Sequence, residues 1–247
     1  MTLLVALNGT DGLALAADSR GTFGDPRGVT AQNDSQQKAH ILAPHVGALQ
    51  AGSGEVGSLL VQEVTRDLQD RHVDGVTEVM NVLRETTRQR YQEWFPSVPP
   101  MQAPQMVMSG AAPARPDLAY VVAGFELSQD GGGVDPKVYQ LQAGTDFSPM
   151  LHNYGFAVAG VAQYALYLLN RLYEPDRSVQ ELTALAVYVI TETASQDGKV
   201  GGPVKVITVA PDKGCVALDE EQVQRIVVGN DERSRSLRDS FYEKGES

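Results

Sequence analysis

Two rhythms of apolar residues run along this chain. At the start, Thr2–Leu7 and Leu13–Ala17 are short, nearly continuous apolar runs, and Asn8-Gly9-Thr10-Asp11-Gly12 between them has the composition of a turn. They read as the two strands of a hairpin. A signal peptide is the alternative, but no basic residue leads the run and it breaks at Asn8, so the segment is expected to be structural. A polar loop is expected over Gly21–Gln36, turning at Gly24-Asp25-Pro26, followed by strands Lys38–Leu42 and Val46–Ala51. Past Gly52-Ser53-Gly54 the rhythm changes. Val56, Leu60, Val64 and Leu68 recur every four residues, the stripe of an amphipathic helix of about 18 residues. A second helix is predicted from Val76 to Phe95. A proline-punctuated connection follows from Pro96 to Pro116, with a short strand at Gln105–Ser109.

The second half repeats this order. Strands are predicted at Leu118–Glu126, Val138–Gln142 and Phe156–Ala159, then helices at Gln163–Tyr173 and Val179–Ser195. Strands Val204–Ala210 and Cys215–Leu218 come next, with a charged tail from Glu220. Strand pairs alternating with helix pairs imply two sheets, each covered by helices. The fold class expected is therefore α/β (α+β), a four-layer α-β-β-α sandwich, with one domain over 2–218 and a charged C-terminal extension over 219–247.

Composition narrows the function. The 247 residues carry 20 Lys and Arg against 31 Asp and Glu, a net charge of −11, which argues against nucleic acid as a partner. No apolar run approaches the length that spans a bilayer, so no membrane partner is expected. The lone Cys215 cannot form an intrachain disulfide, which suits a reducing, cytoplasmic location. Four scattered histidines show no metal-ligand spacing, so neither a metal nor another cofactor is expected.

The candidate chemistry sits at strand ends and turns: Thr2, Asp18, Lys38 and Asp197. Each has an ordinary reading, as a strand threonine, a solvated turn, an exposed strand lysine and a helix stop. Position gives Thr2 another. Once Met1 is removed, threonine carries both a hydroxyl and a free α-amine, whose ordinary pKa of about 8 leaves part of it as a base near neutrality. Nucleophile and general base then belong to one residue. A nearby lysine would depress the amine's pKa and stabilise a developing alkoxide, and a carboxylate would orient that lysine. Thr2, Lys38 and Asp18 fit those three roles.

Three stretches carry a resemblance: TLLVALNGTDGLALAADSR (Thr2–Arg20), KAHILAPHVGALQAGSGEVG (Lys38–Gly57) and DGKVGGPVKVITVAPDKG (Asp197–Gly214). In order and spacing the chain resembles the β-type subunits of the proteasome family, within the N-terminal-nucleophile hydrolases, and in particular bacterial stand-alone proteasome-like proteins. The resemblance implies that Thr2 is the nucleophile, Asp18 the lysine-orienting carboxylate and Lys38 the catalytic lysine. It further implies that Arg20 is a structural arginine, Gly52 supplies an oxyanion-hole N–H, and Asp197 helps position the threonine. Two positions depart from it. Val161 and Val200 stand where the family places serines that bond the amine–carboxylate network.

The activity implied is a threonine-type endopeptidase acting on peptides or unfolded protein inside a homo-oligomeric ring or spiral. Two other functions stay open: a catalytically silent ring that acts as a binding scaffold, suggested by Val161 and Val200, and a small-molecule amidase. Helices Val56–Arg71 and Val76–Phe95 are expected on the outer layer that joins subunits.

Overall fold

The first hairpin sets the frame for everything else. In the computed structural model, which describes residues 2–24, 30–96, 115–127 and 134–242, β1 (Leu3–Asn8) and β2 (Leu13–Ala17) pair antiparallel, with Leu4 opposite Ala17 and Asn8 opposite Leu13. Both strands are apolar on both faces because both faces are covered. Leu3, Val5 and Leu7 point to one side, Leu4 and Ala6 to the other.

This hairpin is the centre of a five-stranded sheet. β10 (Phe156–Gly160) pairs with β1, and β11 (Lys205–Ala210) with β2, followed by β12 (Gly214–Ala217) at the edge. A second five-stranded sheet runs in chain order through β5 (Ala39–Ala43), β6 (Val46–Gly52), β7 (Leu118–Leu127), β8 (Val134–Gln142) and β9 (Met150–Leu151). Helices α1 (Gly54–Arg71) and α2 (Val76–Trp94) cover the second sheet, while α3 (Ala162–Leu172) and α4 (Val179–Gln196) cover the first.

Three apolar clusters mark the three gaps between four layers. Leu60, Val64 and Leu83 of the first helix pair meet Val46, Ala48 and Val122. Leu4, Ala6 and Leu15 meet Leu49, Val121 and Ala123 between the sheets. Leu3, Val5 and Leu7 meet Ala165, Leu182 and Ala186 beneath the second helix pair. The α-β-β-α sandwich read from the order of elements is the fold.

Several local expectations change. Gly21–Gln36, expected as a loop, holds a small antiparallel pair, β3 (Gly21–Gly24) and β4 (Thr30–Asn33). The Arg20–Asp34 ion pair closes its base, a contact that period-2 patterning does not register. Residues 25–29 of the expected turn, and the expected strand Gln105–Ser109, lie outside the described residues. β8 begins four positions earlier than expected, and the two-residue β9 was not anticipated. The segment expected as a charged tail is a 21-residue helix, α5 (Glu220–Ser240). Its start carries a capping box in which Asp219 accepts from the Gln222 N–H and Gln222 accepts from the Asp219 N–H. Val223, Ile226 and Val227 form a short helical stripe against the second helix pair, obscured in the sequence by the surrounding charge.

Candidate active site

Antiparallel pairing assembles the site one sheet at a time. In the first sheet, β1 runs away from Thr2 and β2 returns to it, so Asp18 ends beside the residue that follows Thr2. β10 arrives from the other side with Gly160 opposite Leu3. In the second sheet, the β5–β6 hairpin sets Ala39 opposite Leu49, which brings Lys38 and Gly52 to one end. Packing of the two sheets then joins the pairs. Asp18 Oδ1 accepts both the Leu3 backbone N–H at 3.0 Å and the Lys38 ammonium at 2.8 Å. One carboxylate oxygen thus holds the backbone next to Thr2 and the lysine together.

All three groups are buried: Asp18 is 0% exposed, Lys38 3% and Thr2 4%. The Asp18 carboxylate is nonetheless well satisfied, because Oδ2 accepts the backbone N–H groups of Arg20 at 3.2 Å and Gly201 at 3.1 Å. Lys38 Nζ also donates to the Arg20 carbonyl at 2.6 Å. An ammonium has three N–H bonds, so these two contacts leave one for a third partner. Burial pushes the Lys38 pKa below its ordinary value, and the Asp18 charge opposes that shift. The Asp18 carboxylate is thus the main support for the charged form of this lysine.

Thr2 opens onto a cavity of about 100 Å³, whose wall also includes Thr22, Gln36, Gly52, Ser53 and Gly54. Gly52 has φ +99°, and a Cβ there would lie 2.1 Å from the Asp117 carbonyl oxygen, so only glycine fits. Gly54 begins α1, which brings the positive end of that helix to the same wall. Among the described residues, no hydrogen bond engages the Thr2 hydroxyl. A hydroxyl in such a cavity, at a helix N-terminus and one residue from a backbone N–H that shares its carboxylate with a buried ammonium, can act as a nucleophile whose developing negative charge meets donors already in place.

Asp197 is placed differently from the other three. It follows α4, and its Oδ1 accepts the Lys199 N–H at 2.9 Å. The turn it closes presents Gly198 O to Arg20 Nη1 at 3.0 Å and the Gly201 N–H to Asp18. Its contacts therefore reach Asp18 through a backbone turn rather than reaching Thr2 directly. Arg20 joins the same turn to Asp34 through two bonds of 2.7 and 2.8 Å. Asp34 was not singled out from the sequence; lying between polar residues 14 positions from Arg20, it gives no local signal. Gln50 was missed too. It is buried, and its Nε2 lies 3.4 Å from the carbonyls of Ser53 and Gly54, beneath the turn that carries Gly52.

Val161 and Val200 are both tied to the apolar core over the first sheet. Val161 contributes its backbone, donating to the Thr2 carbonyl at 2.8 Å. Neither side chain can hydrogen-bond an amine. Burial pushes the Cys215 thiol up to about 12, which disfavours its thiolate. Among the described residues, no group of three or more His, Cys, Asp or Glu is placed to hold a metal ion, and no helix is long and apolar enough to cross a membrane.

Comparison with known proteins bears on the fold. No protein-family profile matches the chain, and no curated protein matches it. Among solved structures it is similar to an Anbu mutant from Hyphomicrobium sp. strain MC1, with a TM-score of 0.66 and 17% identity over 100% of this chain and 99% of that one. At that identity the likeness is one of fold. The chain has the fold of Anbu, a bacterial proteasome-like protein of the N-terminal-nucleophile hydrolase type.

Proposed function

We propose that this chain is an N-terminal threonine hydrolase that cleaves peptide bonds after Met1 is removed, acting in the cytoplasm within a homo-oligomeric ring or spiral on unfolded chains or peptides. The observation that carries this reading is the buried Lys38–Asp18 pair, held at 2.8 Å against the residue that follows Thr2. Burying two charges is costly, and the mechanism gives this pair a use. The Thr2 hydroxyl attacks the substrate carbonyl carbon and its proton passes to the Thr2 α-amine. The oxyanion that forms is met by the Gly52 turn, with Lys38 lowering the cost of the alkoxide. The C–N bond then breaks, the leaving amine takes the proton from the Thr2 ammonium, and water hydrolyses the ester.

The self-base mechanism needs a free amine on Thr2. An uncleavable extension ahead of Thr2 is expected to leave the protein folded and abolish peptide hydrolysis. The check combines intact mass with turnover of a fluorogenic peptide panel, and full activity with the extension in place would overturn the mechanism. Val161 and Val200 favour a second reading, a silent scaffold. Under that reading the chain stays inactive on the same panel even with Thr2 exposed.

The pH profile carries a further expectation. Activity should rise as the amine loses its proton, at a pH below its ordinary value of about 8 because the Lys38 charge opposes a second positive charge beside it. It should fall again as Lys38 loses its own proton, at a pH below the ordinary lysine value of 10.5. Asp18 is the largest influence raising the Lys38 pKa, so Asp18→Asn is expected to shift the alkaline limb to lower pH. For stability the sign is opposite to that of a lysine whose pKa its partner raises, because burial outweighs the Asp18 charge here. A lowered folded pKa means the unfolded chain binds more protons between the two values, so Lys38's contribution to stability rises with pH across that window. Measurement of kcat/KM against pH for both proteins checks the limbs; an unmoved alkaline limb would remove Lys38 from the mechanism.

A further inference from the structure

The cavity at Thr2 does not end at its own wall. It shares Gln36, Gly54 and Glu55 with a second hollow of about 220 Å³, which adds Gln37 and Ser58. The shared wall is the start of α1, two positions past Gly52. The Gln36 side chain lies across it, packed against Gly21 and Gly54, and a Cβ on either glycine would strike its amide group. The second hollow is lined by polar residues throughout. Gln37 donates its amide N–H to the Ala39 carbonyl, which leaves Oε1 as an acceptor. Ser58 adds a hydroxyl, and Glu55, which is exposed, adds a carboxylate. In the first cavity the Arg20 charge is taken up by Asp34 through two hydrogen bonds. Among the described residues, the two spaces thus carry one unopposed charge at Glu55, and it is negative.

We propose that the second hollow receives the side chain of the residue whose carbonyl carbon Thr2 attacks, and that Glu55 selects lysine or arginine there. The inference rests on the hydrolase reading above and adds the class of peptide on which it acts. A carbonyl held at the Gly52 turn belongs to a residue whose side chain starts one atom away, and the hollow at Gly54 and Glu55 is the space that adjoins that turn. Lysine and arginine match it chemically. Their methylene stems lie along the aliphatic parts of Gln36 and Gln37 while the charged head stays at the open rim. There Glu55 opposes the charge, and Gln37 Oε1 and the Ser58 hydroxyl accept hydrogen bonds. An acidic side chain would meet Glu55 with like charge, and an aliphatic one would satisfy none of these groups. The net charge of −11 acts in the same direction, drawing basic peptides toward the protein. Glu55 also occupies the first turn of α1, where an acid steadies its helix. That role is indifferent to substrate, so reversing the charge separates the two.

Three fluorogenic peptides, identical except for Lys, Leu or Glu at the residue whose carbonyl is attacked, test the proposal on protein whose exposed Thr2 is verified by intact mass. At low salt, kcat/KM for the Lys peptide should exceed that for the Glu peptide by roughly tenfold, an attraction and a repulsion each on the scale of an exposed ion pair. The ratio should shrink as salt is raised. Glu55→Gln should bring it close to unity, and Glu55→Lys should invert it. A wild-type ratio near unity, a Leu peptide cleaved fastest, or an unchanged ratio in both variants would overturn the proposal. An unchanged ratio with a lowered melting temperature in Glu55→Lys would assign Glu55 to its helix alone. Cleavage of none of the three peptides would overturn the hydrolase reading and this preference together, whereas equal cleavage of all three overturns the preference and leaves that reading standing.

Discussion

Lys38→Ala is expected to lower the acylation rate by two to four orders of magnitude, the scale of the positioned proton transfer to the Thr2 amine that its charge supports and equal to roughly 3–5 kcal/mol of barrier. The change removes what is, among the described residues, the only positively charged side chain bonded to Asp18 Oδ1, the oxygen that also accepts the Leu3 N–H. It also leaves a carboxylate buried without its counter-ion, which on its own destabilises by about 3–5 kcal/mol. Three backbone N–H groups, from Leu3, Arg20 and Gly201, still bond that carboxylate, and the protein is expected to remain folded with a lowered melting temperature. Folding and chemistry are separated by following melting with circular dichroism and acylation with a pre-steady-state burst at a temperature well below the transition. A burst rate equal to wild type in a folded variant would overturn the catalytic role of Lys38.

Gly160→Ala is expected to be nearly as damaging, from a residue that contributes no functional group. Gly160 has φ +89°, and a Cβ on it would fall 1.8 Å from the Thr2 carbonyl oxygen. The clash is with backbone, so no rotamer relieves it. Either Gly160 leaves the left-handed region, losing its pairing with Leu3 and the Val161 N–H bond to Thr2, or Thr2 itself is displaced. A misplacement of about 1 Å at a reacting group can cost 10²-fold in rate. The left-handed backbone alone costs an alanine about 1–2 kcal/mol. Gly198→Ala is the control: a Cβ there meets nothing within 4 Å, although the residue lies in the turn that bonds Arg20. Peptide turnover and melting temperature of the two variants check the contrast. Equal behaviour would mean that Thr2 is not held by Gly160.

The layers were legible in the sequence because each depends on local periodicity. β1, β2 and β6 are short runs apolar at nearly every position, α1 repeats every four residues, and the alternation of strand pairs with helix pairs leaves few arrangements that bury all of these faces. The β3–β4 pair and α5 escaped for the complementary reason. The first is polar and held by an ion pair across 14 positions. The second shows its apolar stripe only in a short first half, and its remaining residues are charged or exposed.

The site divides along the same line. A hairpin with a short turn fixes its own register, so the sequence by itself determined that Asp18 would return beside Thr2, and that Lys38 and Gly52 would share one end of a second hairpin. Whether the two ends meet is a question of sheet-on-sheet packing, which depends on side chains dozens of positions apart. That packing decided that Asp18 Oδ1 is shared by Lys38 and the Leu3 N–H. It also decided that Asp197 is linked to Asp18 through the turn carrying Gly201, and that Gln50, an unremarkable strand glutamine, lies beneath the Gly52 turn. Strand period and turn chemistry are properties of neighbours in the chain, whereas the electrostatics of a buried ammonium belong to whatever the completed core brings within about 3 Å of it.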